Sequence, residues 1–87
     1  MTKITFRAEI LEEGDLYVSL CPELNVSSFG ETIEEARQSL HEAVAAFVEE
    51  CEAMGTLEDV MSEAGFVKER DTWARRKPIA EEALSIG

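Results

Sequence analysis

The side chains able to act as nucleophiles, bases or metal ligands are few in this 87-residue sequence: one histidine, two cysteines and nineteen carboxylates. His41 could work as a general base beside a serine or cysteine, but no motif places one there, so a helix-surface histidine is expected. Cys21 precedes a proline and would need a neighbouring base to lower its pKa before it could attack a substrate. It stands thirty residues from Cys51, outside any CxxC or Cys/His cluster, so neither a zinc site nor a redox motif is legible and two semi-buried thiols are expected. Carboxylates could bind two metal ions for phosphodiester cleavage if they converged from different elements. Here Glu34, Glu35, Glu42, Glu49 and Glu50 lie on the outer side of one helical pattern, and Glu12, Glu13 and Asp15 lie in a turn, a layout that solvates a surface. No enzyme, cofactor or metal is expected.

The formal net charge of −11 weakens any general attraction to nucleic acid or an anionic membrane and favours a cationic partner. Acidity is concentrated at the start: residues 1–53 carry twelve acids and three bases, residues 54–87 seven acids and five bases. Those five bases, Lys68, Arg70, Arg75, Arg76 and Lys77, surround Trp73 in "VKERDTWARRK". A tryptophan among cations could stack a base while arginine meets phosphate. The alternative is that Trp73 closes one end of the core and the arginines pair with the acidic helix. Without a signal peptide or a run of ~18–20 apolar residues, the cytoplasm is the expected compartment.

These groups must be positioned by a short series of elements. Residues 2–11 alternate, with Ile4, Phe6, Ala8 and Ile10 on one side, and Leu16, Val18 and Leu20 repeat the alternation after the Gly14 turn, which predicts an antiparallel hairpin over residues 2–21. Pro22 cannot donate to a ladder and starts a corner, after which Asn25 to Phe29 predicts a third strand. Thr32-x-x-Glu35 has the form of a capping box. The stripe Ile33, Ala36, Leu40, Ala43, Val44, Phe47, Cys51 and Met54 predicts a long helix covering the sheet, ended by Gly55. Thr56 begins a shorter helix through Leu57, Val60, Met61 and Ala64, closed by Gly65-Phe66. Residues 67–77 read as polar, and Pro78 to Ile86 is compatible with a helix or a strand. The sum is one α+β domain over residues 1–87, with residues 1–54 as its main part and 55–87 completing it. Three or four strands covered by one helix leave apolar sheet surface, so a homodimer is expected.

The stretch "YVSLCPELNVSSFGETIEEARQSLHEAVAAFVEE" resembles the signature of HicB-type antitoxins through Tyr17, Pro22, Glu23, Leu24, Gly30, Glu31, Thr32, Glu34, Glu35 and Ala36. The resemblance covers roughly residues 3–54. It implies a partial ribonuclease-H-like fold, β-β-β-α-β, without nuclease activity, and puts the last strand at residues 78–86. It also implies a partner, a small basic HicA-like toxin that cleaves RNA, met by Glu12, Glu13, Asp15, Tyr17, Glu23, Glu34 and Glu35. The second reading is an orphan relative that binds nucleic acid or a ligand through Lys68 to Lys77 and Trp73. Two departures from the family stand out. The residues after the main helix cannot hold a separate DNA-binding domain as well as the last strand, and "CPELNV" is a shortened form of the commoner Pro-Asp-Leu-Pro-Gly-Cys loop.

Overall fold

Apolar alternation keeps the first stretch extended, and in the computed structural model, which describes residues 3–87, that stretch serves two sheets in turn. Thr2, where the predicted strand begins, lies outside the described residues. β1 (Lys3–Thr5) and β2 (Glu9–Glu13) are separated by residues 6–8, so the predicted hairpin over 2–21 is realised only from Glu9 onward. β2 pairs antiparallel with β3 (Leu16–Cys21), with Glu13 facing Leu16 across Gly14 and Asp15. Gly14 has φ 61 and Asp15 keeps an ordinary negative φ, as in the tight turns whose twist matches that of the flanking strands. β3 pairs antiparallel with β4 (Val26–Gly30) through the corner at residues 22–25. Asn25, expected to open the third strand, instead takes φ 55 and closes the corner, its N–H donating to the Pro22 carbonyl at 3.3 Å.

The long helix α1 runs over Ile33–Met54. Its first turn is capped by the Thr32 hydroxyl, which accepts from the Glu35 N–H at 3.0 Å, and Gly55 at φ 71 ends it. The short helix α2 (Leu57–Glu63) departs from its predicted cap. The Thr56 hydroxyl turns back to donate to the Cys51 carbonyl at 3.4 Å, tying the two helices together, and makes no cap bond.

The domain is therefore α+β, with a three-stranded antiparallel sheet, one long helix, a short second helix and a C-terminal strand. The place of that last strand is the main correction. Residues 78–86 form no regular element; the chain instead makes a hairpin of β5 (Phe66–Glu69) and β6 (Thr72–Arg75) across the turn Arg70-Asp71. β6 also pairs in parallel with β1, giving a second sheet in the order β1-β6-β5. The cause is burial. Phe66 and Trp73, on the same face of this hairpin, are both 3% exposed and supply the large apolar side chains of this half, whereas Ile79, Leu84 and Ile86 remain exposed.

Cys21, Leu24, Leu40, Val44, Met61, Phe66 and Trp73 form the core, flanked by Ile4, Phe6, Val26, Phe47, Val48, Leu57 and Ala64. One feature inverts the strand pattern. The face of β3 that meets α1 carries Tyr17, Ser19 and Cys21, and the alternation Leu16, Val18, Leu20 points away from the helix. Small groups are needed on the inner side because the helix start approaches closely. A Cβ at Gly30 would lie 2.5 Å from the Ala36 nitrogen, and the fully buried Ser19 hydroxyl donates to the Ala36 carbonyl at 2.7 Å. The outer face, lined by Leu11, Leu16, Val18, Leu20 and Phe29, is left uncovered, with Leu11 56% and Phe29 63% exposed.

Candidate functional site

Strand register decides which carboxylates meet. Tyr17 sits between Glu12 on β2 and Gly30 on β4, and Gly30 touches the backbone of Glu35 and Ala36. The tip of the β2-β3 hairpin and the first turn of α1 are thereby brought to the same end of the molecule. Glu12, Glu13 and Asp15 from the hairpin join Glu31, Glu34 and Glu35 from the helix start, all of them exposed. Glu31 adds to the acids expected at this end, and its place directly after Gly30 is the sequence signal for it. Tyr17, paired between Glu12 and Gly30, is half-buried at this acidic pole. Among the described residues, Glu34 is the one member in an ion pair, with Arg37 at 2.8 Å one helical turn on. The acidic side chains follow the first-turn preference set by the helix dipole, and with Thr32 they stabilise the start of α1 while leaving their charge in solvent.

The seventh predicted partner residue, Glu23, is elsewhere and in different circumstances. It lies in the corner at the other end of β3, with its side chain 12% exposed, and its carboxylate accepts from Arg7 at 3.3 Å and is 3.7 Å from Arg75. Arg7 also pairs with Glu9, and Arg75 with Glu81. Glu23 is thus neutralised within the domain, where it holds the stretch between β1 and β2 and the end of β6 against the corner. Its Oε1 also receives a weak contact from the Cys21 thiol at 3.9 Å. Burial, with the Glu23 charge adding to it, pushes the Cys21 thiol above its ordinary value against the opposing pull of the Leu24 and Glu23 backbone N–H groups and of Arg7. A fully buried thiol held protonated is a poor nucleophile. Cys51 is also buried and free, and His41 is exposed on α1.

The basic segment is divided. Trp73 is in the core, so stacking a nucleobase would require the ring to leave it; Lys68 Nζ lies 5.7 Å from the ring centroid instead. Arg75 is committed to Glu23 and Glu81 and makes no pair with the acidic helix. Arg70, Arg75, Arg76 and Lys77 border a depression on the far side of the β5-β6 hairpin, where Glu69 is the one acid in a predominantly basic lining. Among the described residues, no group of three or more His, Cys, Asp or Glu side chains is disposed to hold a metal ion. No helix among them is long and apolar enough to cross a membrane. No family model matches the chain, and neither a curated protein nor a solved structure matches it.

Proposed function

We propose that this chain is a HicB-like, antitoxin-type binding module, without enzymatic activity of its own, which acts in the cytoplasm as a homodimer and covers a small basic HicA-like toxin that cleaves RNA. The observation that supports this reading is the solvated acidic pole. Six carboxylates lie at one end of the domain, three on the β2-β3 hairpin and three at the start of α1, and among the described residues the one ion pair they make, Glu34–Arg37, is exposed and therefore weak. Such a concentration of one sign raises the encounter rate with a cation-rich surface and lowers it for polyanions, RNA included. The signature residues Tyr17, Gly30, Thr32 and Ala36 have structural duties in building that pole, which links the family pattern to its proposed use.

The reading is tested with the full chain and a HicA-like toxin expressed together. The wild-type chain is expected to co-purify with the toxin and suppress its RNA cleavage. Reversing the hairpin charges (Glu12→Lys, Glu13→Lys, Asp15→Lys) is expected to slow association by ~10-fold or more at low salt and by much less at high salt. An association rate indifferent both to the triple change and to salt, or no complex at low salt, refutes it.

A further inference from the structure

The β2-β3 and β5-β6 turns share a geometry and differ in sequence. Each is two residues long, closed by Glu13 facing Leu16 in one hairpin and by Glu69 facing Thr72 in the other. Each begins in the left-handed region, at φ 61 and φ 58, and continues through an aspartate that stays out of it. The first is Gly14-Asp15, where glycine takes that conformation freely; the second is Arg70-Asp71, where a residue with a Cβ is held in it. Backbone strain of this kind collects at binding sites, and what Arg70 can bring to one is its guanidinium.

Arg70 borders the depression on the far side of the β5-β6 hairpin, a space of 760 Å³, within the range of small-molecule sites. Its floor is the strand face opposite to Phe66 and Trp73, where Val67, Thr72 and Ala74 supply small side chains and one hydroxyl. Arg75, Arg76 and Lys77 complete the basic lining, and Lys3 on β1 stands opposite Thr72. Arg75 is shared with Glu23 and Glu81. Arg70, Arg76 and Lys77 make no ion pair among the described residues, in a chain where nineteen acids face eight bases. Three cations left unpaired amid that excess of carboxylates repel one another and are free to meet an anion.

We propose that this depression binds a compact phosphorylated ligand with two or more phosphates, between pyrophosphate and a nucleoside triphosphate in size. Phosphate is favoured over carboxylate because each group offers up to two charges and three acceptor oxygens, which suits several converging arginines. Compactness follows from the rest of the chain. A net charge of −11 repels a long polyanion along its length, whereas a ligand confined to the depression meets chiefly the local cations, since screening takes hold beyond about 10 Å at 0.1 M salt. Trp73 is buried on the opposite face, so the phosphates are read and no base is stacked. Arg75 meets Glu23 at the end of β3 away from the acidic pole, so this site is distinct from the surface assigned to a toxin.

NMR titration of the isotope-labelled full chain at about 20 mM salt tests this, with urea unfolding of each variant in parallel. Pyrophosphate and ATP are expected to bind with similar affinity and to shift amides within residues 67–77, and citrate to bind at least ~10-fold more weakly. Arg70→Gly is expected to weaken pyrophosphate binding ~10-fold or more while raising the urea midpoint, because it removes a ligand contact and the strain together. A purely structural Arg70 would raise the midpoint and leave binding unchanged. Arg76→Ala/Lys77→Ala, altered only at exposed positions, is expected to lose ~10-fold or more as well. No shift with pyrophosphate or ATP at millimolar concentration, or an affinity unchanged in both variants, overturns the site. Citrate matching pyrophosphate overturns the phosphate class, and a short single-stranded RNA binding more tightly than ATP overturns the compact one. No toxin enters these measurements, so their failure leaves the antitoxin-type reading untouched.

Discussion

The two ends of β3 carry carboxylates in opposite circumstances. At the hairpin end, Glu12, Glu13 and Asp15 face solvent beside the acids that open α1. At the other end, Glu23 is largely enclosed and shared between Arg7 and Arg75, which come from segments far apart in the chain. The same chemical group is a latch in one place and an unspent charge in the other. What separates them is whether cations from distant segments arrive to neutralise it. A carboxylate available to a partner is therefore identified by the absence of internal pairing, and acidity in the sequence says little by itself.

The largest expected effect comes from dismantling the acidic pole through its support. Gly30→Ala inserts a methyl group 2.5 Å from the Ala36 nitrogen, a backbone atom that moves only with the helix. A loss of about 3 kcal/mol or more in unfolding free energy is expected from urea titration, since small-to-large changes in a tight contact force backbone shifts. If Gly30→Ala proves neutral, the close helix–strand approach is not what joins the two acidic segments.

Next is the latch. Glu23→Ala leaves Arg75 without its corner partner and releases Arg7 from the same point, with an expected cost of about 1–2 kcal/mol; the partial exposure of both arginines keeps it below that of a buried pair. By contrast, neutralising the hairpin acids together (Glu12→Gln, Glu13→Gln, Asp15→Asn) is expected to change stability by no more than about 0.5 kcal/mol, with the sign toward stabilisation at low salt because like charges are removed. A cost for the triple variant equal to that of Glu23→Ala would erase the distinction between the poles.

The smallest effect concerns Cys21, beside the latch. Its folded-state pKa is raised, so above the ordinary thiol value of 9.0 the unfolded chain releases the proton first and the native state retains it. The native state then binds more protons, and stability falls as pH rises from that value toward the folded pKa. Unfolding titrations between pH 7 and 10.5 are expected to show this decline in the wild-type chain and a shallower one in Cys21→Ala. Equal slopes would show that the thiol is not desolvated as its burial indicates.

Local signals in the sequence carried the elements that depend on local chemistry. Thr32 and Gly55 mark the ends of α1 because a cap oxygen and a left-handed glycine satisfy backbone groups wherever they occur. The β5-β6 hairpin was illegible because its turn begins with Arg70 at φ 58, a position where glycine or asparagine would have announced it. The direction in which β3 faces was equally hidden. Alternation identifies two faces of a strand, but the choice between leucines and small residues on the helix side depends on how closely Ala36 approaches, a tertiary distance. Of the candidate site, the hairpin acids and the acids of the first helical turn could be named from the sequence. That they share one end, and that Glu23 does not join them, follows from register and from arginines at positions 7 and 75.

The parallel pairing of β1 with β6 has a consequence for how the molecule is made. Lys3 finds its ladder partner only at Thr72, whereas β2, β3, β4 and α1 are joined by neighbours in sequence. During synthesis the hairpin and helix can assemble early, while the opening strand must wait for the last hairpin to emerge from the ribosome, since non-local contacts carry the largest loop-closure cost. The second sheet is thus completed by the two ends of the described chain together, and β1 can gain its ladder only once residues 66–75 have been made.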